Sequence, residues 1–237
     1  MENHEESEKM GKQGQGEEGR PAQENLEKIV DIWHFEGPVQ TTVCDFDGVM
    51  VNRFTVLSTN DFCAHYGVAR ERFDEVARRA AVGLDVGERT EMEYFTELAD
   101  ALSLGVSPDE IKSFFEAADA KNIMPNEEMY KWVRELSERG VSVIMATNVS
   151  RELATRLRAM GLYDVFEKQF FSYEMGVSKS DVHFWDRIFS DIGAKPEDVI
   201  FIDDNATNVS TAKKAGLEGI VFSGFADLMR EISEKKQ

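Results

Sequence analysis

From residue 39 onward, short apolar runs alternate along the chain with longer segments whose apolar residues recur every three or four positions. The short runs predict β-strands, and the periodic segments predict amphipathic helices. The predicted strands are Thr41–Phe46, Val141–Ala146, Gln169–Phe171, Val199–Ile202 and Gly219–Phe222. Strands that alternate with helices predict an α/β fold with a Rossmann-like parallel sheet, whose functional site lies at the carboxyl ends of the strands.

The alternation stops between residues 52 and 121, where only helical signals occur. One of them is the capping box Thr90-x-x-Glu93. We therefore predict an all-helical cap over 52–121, inserted after the first strand and lying above the carboxyl edge of the sheet. The α/β core then comprises residues 25–51 and 122–237.

The N-terminal part of the chain has a different composition. Residues 1–24 are rich in glutamate and contain no Leu, Ile, Val, Phe, Tyr or Trp. Such a segment buries too little apolar surface to offset the entropy of ordering, so we predict a disordered acidic tail over 1–24. Leu26, Ile29, Val30 and Trp33 follow with helical spacing and predict a short amphipathic helix that packs on the main domain.

Charge and composition narrow the function classes that the chain can serve. The 237 residues carry a formal net charge of −18, which repels nucleic acid and anionic lipid surfaces. No stretch approaches the roughly 20 apolar residues of a membrane span, and no apolar N-terminal run predicts a signal peptide. Cys44 and Cys63 are too few for a disulfide framework. We therefore expect a cytoplasmic protein without nucleic-acid or membrane partners.

Polar clusters follow four of the predicted strands, at the strand end or in the loop after it. They are Asp45-Phe46-Asp47-Gly48, Thr147-Asn148, Lys179, and Asp203-Asp204-Asn205 with Asn208. Because the carboxyl ends of parallel strands meet at one edge of a sheet, we expect these side chains to converge. One such cluster alone is weak, since an acid after a strand is often only a helix N-cap, but four in this order indicate one site.

The predicted convergence of aspartates needs a positive counter-charge, because like charges at short range raise one another's pKa. Oxygen ligands without His or Cys favour Mg²⁺, and Lys179 adds a second positive charge. Together these charges suit a phosphoryl group, with the Thr147 hydroxyl binding another of its oxygens. Asp45 is then a candidate nucleophile, and Asp47, two residues on, is a candidate general acid and base.

The ordered set of motifs resembles the haloacid dehalogenase superfamily of aspartate-nucleophile phosphotransferases, from about Val39 to Phe222. Tyr130–Ser150 (YKWVRELSERGVSVIMATNVS), Gly161–Lys179 and Asp198–Asn208 are similar to the family's second, third and fourth motifs. The helical insert, including Gly87–Glu93, resembles the cap of the branch that contains sugar-phosphate phosphatases and the phosphatase domain of soluble epoxide hydrolases.

The resemblance implies a catalytic or substrate-binding role for each matching residue. It implies that Asp45 is the nucleophile, that Asp47 is the acid and base, and that Lys179 stabilises charge. It also implies that Thr147 and Asn148 contact the phosphate and the substrate.

The same resemblance implies a Mg²⁺ site. Asp204 would bind the metal directly with Asp203 beside it, while Asp45 would bind through its carboxylate and Asp47 through its backbone carbonyl. Asn208 stands where many relatives carry a second acid, so this chain departs from the family's pattern at one position of the metal motif.

The predicted function is Mg²⁺-dependent hydrolysis of a small phosphate monoester through an aspartyl-phosphate, with sugar phosphates as one candidate class. The partner is then a small phosphorylated metabolite, and the oligomeric state is open. Three alternatives remain. A 2-haloacid dehalogenase would leave Asp47 and Asp204 without a chemical role, because a halide needs neither a proton nor a metal to leave. A phosphomutase must keep water from the intermediate, and a non-catalytic binding protein would not need every core residue.

Overall fold

The computed structural model describes residues 41–234 and contains a five-stranded parallel sheet with the strand order β3-β2-β1-β4-β5. The strands are β1 (Thr41–Cys44), β2 (Ser142–Thr147), β3 (Lys168–Phe171), β4 (Val199–Asp203) and β5 (Glu218–Val221). The sequence prediction of an α/β fold with a Rossmann-like parallel sheet is confirmed. Because β1 lies between β2 and β4, the residues that follow these three strands share the centre of the carboxyl edge.

Ten α-helices accompany these strands within the described residues. They are α1 (Phe54–Tyr66), α2 (Arg70–Ala80), α3 (Glu91–Leu102), α4 (Pro108–Asn122), α5 (Glu127–Glu138), α6 (Arg151–Ala159), α7 (Ser172–Met175), α8 (Val182–Ile192), α9 (Ala206–Lys214) and α10 (Phe225–Glu234). A short 3₁₀-helix, Pro196–Asp198, precedes β4. Helices α1–α4 are inserted between β1 and β2, and we call them the cap.

Apolar residues cover both faces of the sheet because successive side chains of a strand point to opposite sides. Cys44 belongs to the layer that packs against α5, α6 and α10, whereas its neighbour Val43 belongs to the layer formed with α8 and α9. Each layer contains a fully buried tryptophan, Trp132 in the first and Trp185 in the second. Burial of both faces fixes the register of the strands and therefore the positions of the polar residues at their ends.

The cap has an apolar centre of its own. Phe62 of α1 lies in it with ring centroids 5.4 Å from Phe73 and 4.9 Å from Phe115. Leu98 and Ile111 are completely buried in the same cluster. The cap is thus a packed helical unit and not an extended loop.

Two neighbouring stretches of chain connect the cap to the sheet. Val51 forms an antiparallel bridge with Pro125, and the Asn52 amide donates to the carbonyl oxygen of Met124 at 3.0 Å. The Asn52 side chain in turn accepts a hydrogen bond from the Met124 amide at 2.9 Å. The entry and exit of the cap therefore lie side by side, which holds it over the carboxyl edge of the sheet.

Two predictions fall on parts of the chain for which no structure is described. The acidic tail over 1–24 and the amphipathic helix at Leu26–Trp33 lie outside the described residues and stay predictions. Within residues 41–234, no helix combines the length and the apolar character needed to cross a bilayer. The cytoplasmic location also stays a prediction.

Candidate active site

Asp45 begins a tight turn immediately after β1. Its backbone amide donates to the carbonyl oxygen of Ile202 at 2.8 Å, which ties it to the end of β4. Gly48 in this turn has a φ of +91°, and a Cβ there would overlap the Asp204 carboxylate. Glycine is therefore required at this position both for its backbone conformation and for the close approach of Asp204.

Lys179 lies between two carboxylates at the centre of the edge. Its ammonium nitrogen is 2.5 Å from Asp45 Oδ1 and 2.7 Å from Asp203 Oδ2, and only 1% of the residue is exposed. Burial alone would lower the pKa of Lys179, but the two carboxylates raise it above its ordinary value, so the lysine stays charged. Burial raises the pKa of Asp45 to about 7, against the lowering effect of the Lys179 ammonium.

Asp203 is the most enclosed carboxylate of the site. Besides Lys179, it accepts hydrogen bonds from the Asn208 side chain at 3.0 Å and from the Asn205 amide at 2.7 Å. Asn208 therefore supplies a neutral donor here, where a carboxylate would add negative charge. With these three donors in place, the Asp203 oxygens are satisfied within the protein.

Asp204 turns the other way, toward a solvent-open hollow that it shares with Asp47 and Arg53. Carboxylate oxygens of Asp45, Asp203 and Asp204 lie within 4.8 Å of one another. Arg53 Nε lies 2.6 Å from Asp204 Oδ2, so a cationic group already neutralises the outer carboxylate. The clustered carboxylate oxygens of Asp45 and Asp204 fit a hard divalent cation such as Mg²⁺, because such ions prefer oxygen ligands.

Asp47 occupies the boundary between that hollow and a second cavity beneath the cap. Its Oδ2 accepts a hydrogen bond from the Thr55 hydroxyl at the start of α1, while its Oδ1 is buried and has no hydrogen-bond partner among the described residues. Burial raises the pKa of Asp47 to about 6, which the Thr55 hydrogen bond only partly opposes. A carboxyl group with this pKa can both donate and accept a proton near neutral pH.

Thr147 and Asn148 follow β2, as predicted, and lie on the other side of Asp45. Thr147 is the last residue of the strand and is 4% exposed. Asn148 Oδ1 accepts a hydrogen bond from the Lys179 backbone amide at 3.0 Å, which fixes the loop that carries the lysine. The structure thus brings together all seven residues that the sequence nominated: Asp45, Asp47, Thr147, Asn148, Lys179, Asp203 and Asp204.

The cavity beneath the cap has a volume of about 330 Å³ and exposes residues that sequence reasoning missed. Arg156 of α6 and Glu91 of α3 form an ion pair across the junction of core and cap, with nitrogen–oxygen distances of 2.7 and 3.2 Å. Asp119 of α4 lies 3.8 Å from the same guanidinium. Arg156 and Asp119 stand in no local motif, and the cap segment Gly87–Glu93 that contains Glu91 does not indicate its partner. Helical periodicity gives no reason to pair α6 with α3. Arg89 pairs with Glu97 at 3.0 Å and does not line this cavity.

Comparisons with known proteins agree with this geometry. The family of haloacid dehalogenase-like hydrolases matches residues 39–216. Sesquiterpene phosphatase astK of Aspergillus oryzae is 32% identical over 99 residues, which cover 41% of this chain and 50% of the relative. The chain thus spans about half the length of that relative. Drimenol cyclase drtB of Aspergillus calidoustus is 32% identical over 71 residues, which cover 30% of this chain and 13% of the relative.

Solved structures show the same fold. A HAD-family enzyme of Bacteroides thetaiotaomicron superposes with a TM-score of 0.65 at 18% identity, covering 81% of this chain and 98% of that one. A crystal structure of the same enzyme in complex with magnesium and inorganic phosphate gives a TM-score of 0.61 at 17% identity over 80% and 98% of the two chains. Because the family match covers most of the chain, the protein belongs to the haloacid dehalogenase-like hydrolases and is a hydrolase.

Proposed function

We propose that the protein is a Mg²⁺-dependent phosphatase that hydrolyses a small phosphate monoester through an aspartyl-phosphate on Asp45. One observation carries the proposal. Asp45, Lys179 and Asp204 converge at the edge of the sheet. Asp47 lines the adjacent cavity, and its buried Oδ1 has no hydrogen-bond partner among the described residues. A nucleophile, positive charge and a proton donor thus surround the point where a phosphate ester would bind.

The carboxylates of Asp45 and Asp204, with the backbone carbonyl of Asp47, would hold Mg²⁺. When bound, this ion would neutralise charge on the transferring phosphoryl oxygens. We assign Asp203 the role of holding Lys179, because three protein donors already occupy its oxygens. Lys179 and the Thr147 hydroxyl would bind the remaining phosphoryl oxygens.

In the first step the Asp45 carboxylate attacks phosphorus. A bond from the Asp45 oxygen to phosphorus forms, and the bond from phosphorus to the ester oxygen breaks. The ester oxygen leaves with the pair of electrons and takes the proton of Asp47, so that the product departs as a neutral alcohol. The raised pKa of Asp47 keeps that proton available near neutral pH.

In the second step water attacks phosphorus of the aspartyl-phosphate. The ionised Asp47 accepts a proton from the water, and the bond from phosphorus to the Asp45 oxygen breaks. Asp45 is regenerated as a carboxylate, Asp47 is reprotonated, and inorganic phosphate leaves. The sum of both steps is hydrolysis of the monoester.

One curated relative and one solved structure of the same fold lend support to a phosphatase. One bears the name sesquiterpene phosphatase, and the Bacteroides enzyme was crystallised with magnesium and inorganic phosphate. Dehalogenation would require neither the proton of Asp47 nor the carboxylate of Asp204, because a halide leaves without a proton or a metal. The substrate is accordingly a small phosphorylated metabolite, and sugar phosphates stay one candidate class.

The test is hydrolysis of 4-nitrophenyl phosphate by the full chain with added Mg²⁺, with chelator, and in Asp45→Asn. We expect turnover that chelator abolishes and Mg²⁺ restores, and no turnover in Asp45→Asn, with mass spectrometry excluding deamidation back to aspartate. Asp191→Asn, a change of the same chemistry at an exposed carboxylate of α8, is the matched control and should keep full activity.

Release of chloride from 2-chloropropionate by the wild-type chain, without phosphate-ester hydrolysis, would overturn the proposal in favour of a dehalogenase. Turnover of 4-nitrophenyl phosphate by authenticated Asp45→Asn would exclude Asp45 as the nucleophile. Turnover that persists after complete chelation would exclude the role of the metal.

A further inference from the structure

The cavity beneath the cap is placed to receive the alcohol half of the substrate. Asp47 and Asn148 of the site line it from below, and residues of α3 and α4 line it from above. Its volume of about 330 Å³ is at the small end of the range for metabolite pockets. Whatever leaves with the ester oxygen must therefore fit the charge and shape of this cavity.

The cavity wall is acidic. Asp47, Asp85, Glu91 and Asp119 line it, and within the described part of the chain Arg156 is its single cationic lining residue. Glu91 and Asp119 are only 6% and 8% exposed, so solvent screens their charges weakly. Burial also raises the pKa of Asp119 to about 6 and that of Asp85 above its ordinary value, a sign that negative charge is disfavoured there.

The guanidinium of Arg156 is already engaged. It forms a two-point ion pair with Glu91 at 2.7 and 3.2 Å, and it has Asp119 and Glu116 at 3.8 Å. The Ser150 hydroxyl donates to Glu91 at 2.7 Å and holds that carboxylate in place. A second anion entering the cavity would have to compete with these fixed carboxylates for the one cation.

The other cations of the site lie outside this cavity. Lys179 is buried between Asp45 and Asp203, and Arg53 contacts Asp204 in the solvent-open hollow beyond Asp47. Positive charge is therefore concentrated where the phosphoryl group binds. The rest of the cavity wall is largely apolar and aromatic, including Leu84, Tyr94, Phe95, Phe115 and Leu153.

We propose that this cavity selects phosphate monoesters whose alcohol half is neutral, and that it rejects esters bearing a second carboxylate or phosphate. Apolar walls would cover the carbon skeleton, and the carboxylates would accept hydrogen bonds from its hydroxyl groups. The inference rests on the proposed function and specifies the substrate class of the same site. Glu91 and Asp119 are then specificity-determining residues, and Arg156 is a positioning residue that acts through them.

The experiment compares pairs of esters that differ only by CH₂OH against carboxylate. Suitable pairs are glycerol 3-phosphate with 3-phosphoglycerate, and glucose 1-phosphate with glucuronic acid 1-phosphate. We expect kcat/KM for the neutral member of each pair to exceed that for the anionic member by roughly tenfold or more, given like charges a few ångströms apart in a partly buried site.

Two variants reduce the negative charge that lines the cavity beneath the cap. Asp119→Asn removes one negative charge, and Glu91→Gln frees the Arg156 guanidinium to bind a carboxylate. Each should lower the neutral-to-anionic ratio of kcat/KM several-fold, mainly through KM for the anionic ester. Glu97→Gln, an acid-to-amide change on α3 at a residue that does not line this cavity, is the matched control and should leave the ratio unchanged.

The outcomes separate this inference from the proposed function. Hydrolysis of both members of each pair with equal kcat/KM, or a ratio unmoved by both variants once thermal melts show that they fold, would overturn the inference while leaving the phosphatase intact. Absence of hydrolysis of every phosphate monoester, 4-nitrophenyl phosphate included, would overturn the proposed function and this inference with it.

Discussion

The edge of the sheet and the cavity beneath the cap both place one cation among several carboxylates, but they are built in different ways. At the edge, Asp45 and Asp203 stand at the ends of strands whose register is fixed by two buried faces, and Lys179 reaches them from the loop after α7. In the cavity, Arg156 meets acids of the cap only because two separately packed units come together. The comparison teaches that the chemistry of the site depends on local chain geometry, whereas its selectivity depends on tertiary packing.

The largest effect should come from removing the cation of the edge. Lys179→Met leaves Asp45 and Asp203 as buried charges without a partner, so we expect a loss of about 3–5 kcal/mol in the free energy of unfolding. We also expect kcat to fall by about 10²–10³-fold or more, because a preorganised positive charge at the phosphoryl group is lost. Urea denaturation and steady-state kinetics measure the two effects.

Lys168→Met is the control for that variant, since Lys168 forms an exposed ion pair with Asp191 at 2.9 Å. Its effect on stability should stay below about 1 kcal/mol. If Lys179→Met unfolded at the same urea concentration as this control, Lys179 would not stabilise the buried carboxylates of Asp45 and Asp203, and the prediction would be contradicted.

Removing the cation of the cavity should cost less. Arg156 has a quarter of its side chain exposed, so solvent offsets part of the charge that Arg156→Met leaves on Glu91. We expect a loss of about 1–3 kcal/mol in unfolding free energy, and a smaller fall in kcat for 4-nitrophenyl phosphate than in Lys179→Met. A larger kinetic defect than that of Lys179→Met would contradict the division of roles between edge and cavity.

The remaining effect depends on pH. Burial raises the pKa of Asp119 to about 6 from 3.8, although the Ser58 hydrogen bond and the Arg156 guanidinium lower it. Because the folded state binds this proton more tightly than the unfolded state, the ionised group costs stability as pH rises from 3.8 through about 6. Asp119→Asn removes that cost, which is on the order of 1–3 kcal/mol at neutral pH.

Thermal unfolding at about pH 5.5 and pH 8 tests this sign. Asp119→Asn should gain stability relative to the wild type at the higher pH, and the difference should shrink at the lower pH, where the wild-type carboxyl is largely protonated. A variant whose advantage grows toward acid would mean that the cavity stabilises the Asp119 charge instead of opposing it.

Much of the fold and of the edge site could be predicted from the sequence. Apolar runs identified all five strands, although β1 ends at Cys44 and not at Phe46, because the chain turns at Asp45 to leave the sheet. Thr90 and Glu93 form the complete capping box that their spacing indicated. The nominated residues converge because residues that follow parallel strands have little freedom in where they lie.

The cavity could not be predicted in the same way. Arg156 and Glu91 lie 65 positions apart on helices of different units. Arg156 stands in no recognisable motif, and the cap segment Gly87–Glu93 that contains Glu91 does not indicate a partner for it. Their contact depends on the angle at which the cap meets the sheet, which the Val51–Pro125 bridge and the packing of α1–α4 determine. Sequence periodicity records which face of a helix is buried, but not which charged residue of another unit it meets.

The most direct test of the central claim is ¹⁹F NMR of the full chain with beryllium fluoride, which mimics the phosphoryl group on an aspartate. We predict protein-bound fluorine resonances in the presence of Mg²⁺ that vanish on chelation and in Asp45→Asn, but persist in the exposed control Asp191→Asn. Bound resonances of equal intensity in Asp45→Asn, or none in the folded wild-type protein with Mg²⁺, would contradict the assignment of Asp45 as the group that accepts the phosphoryl unit.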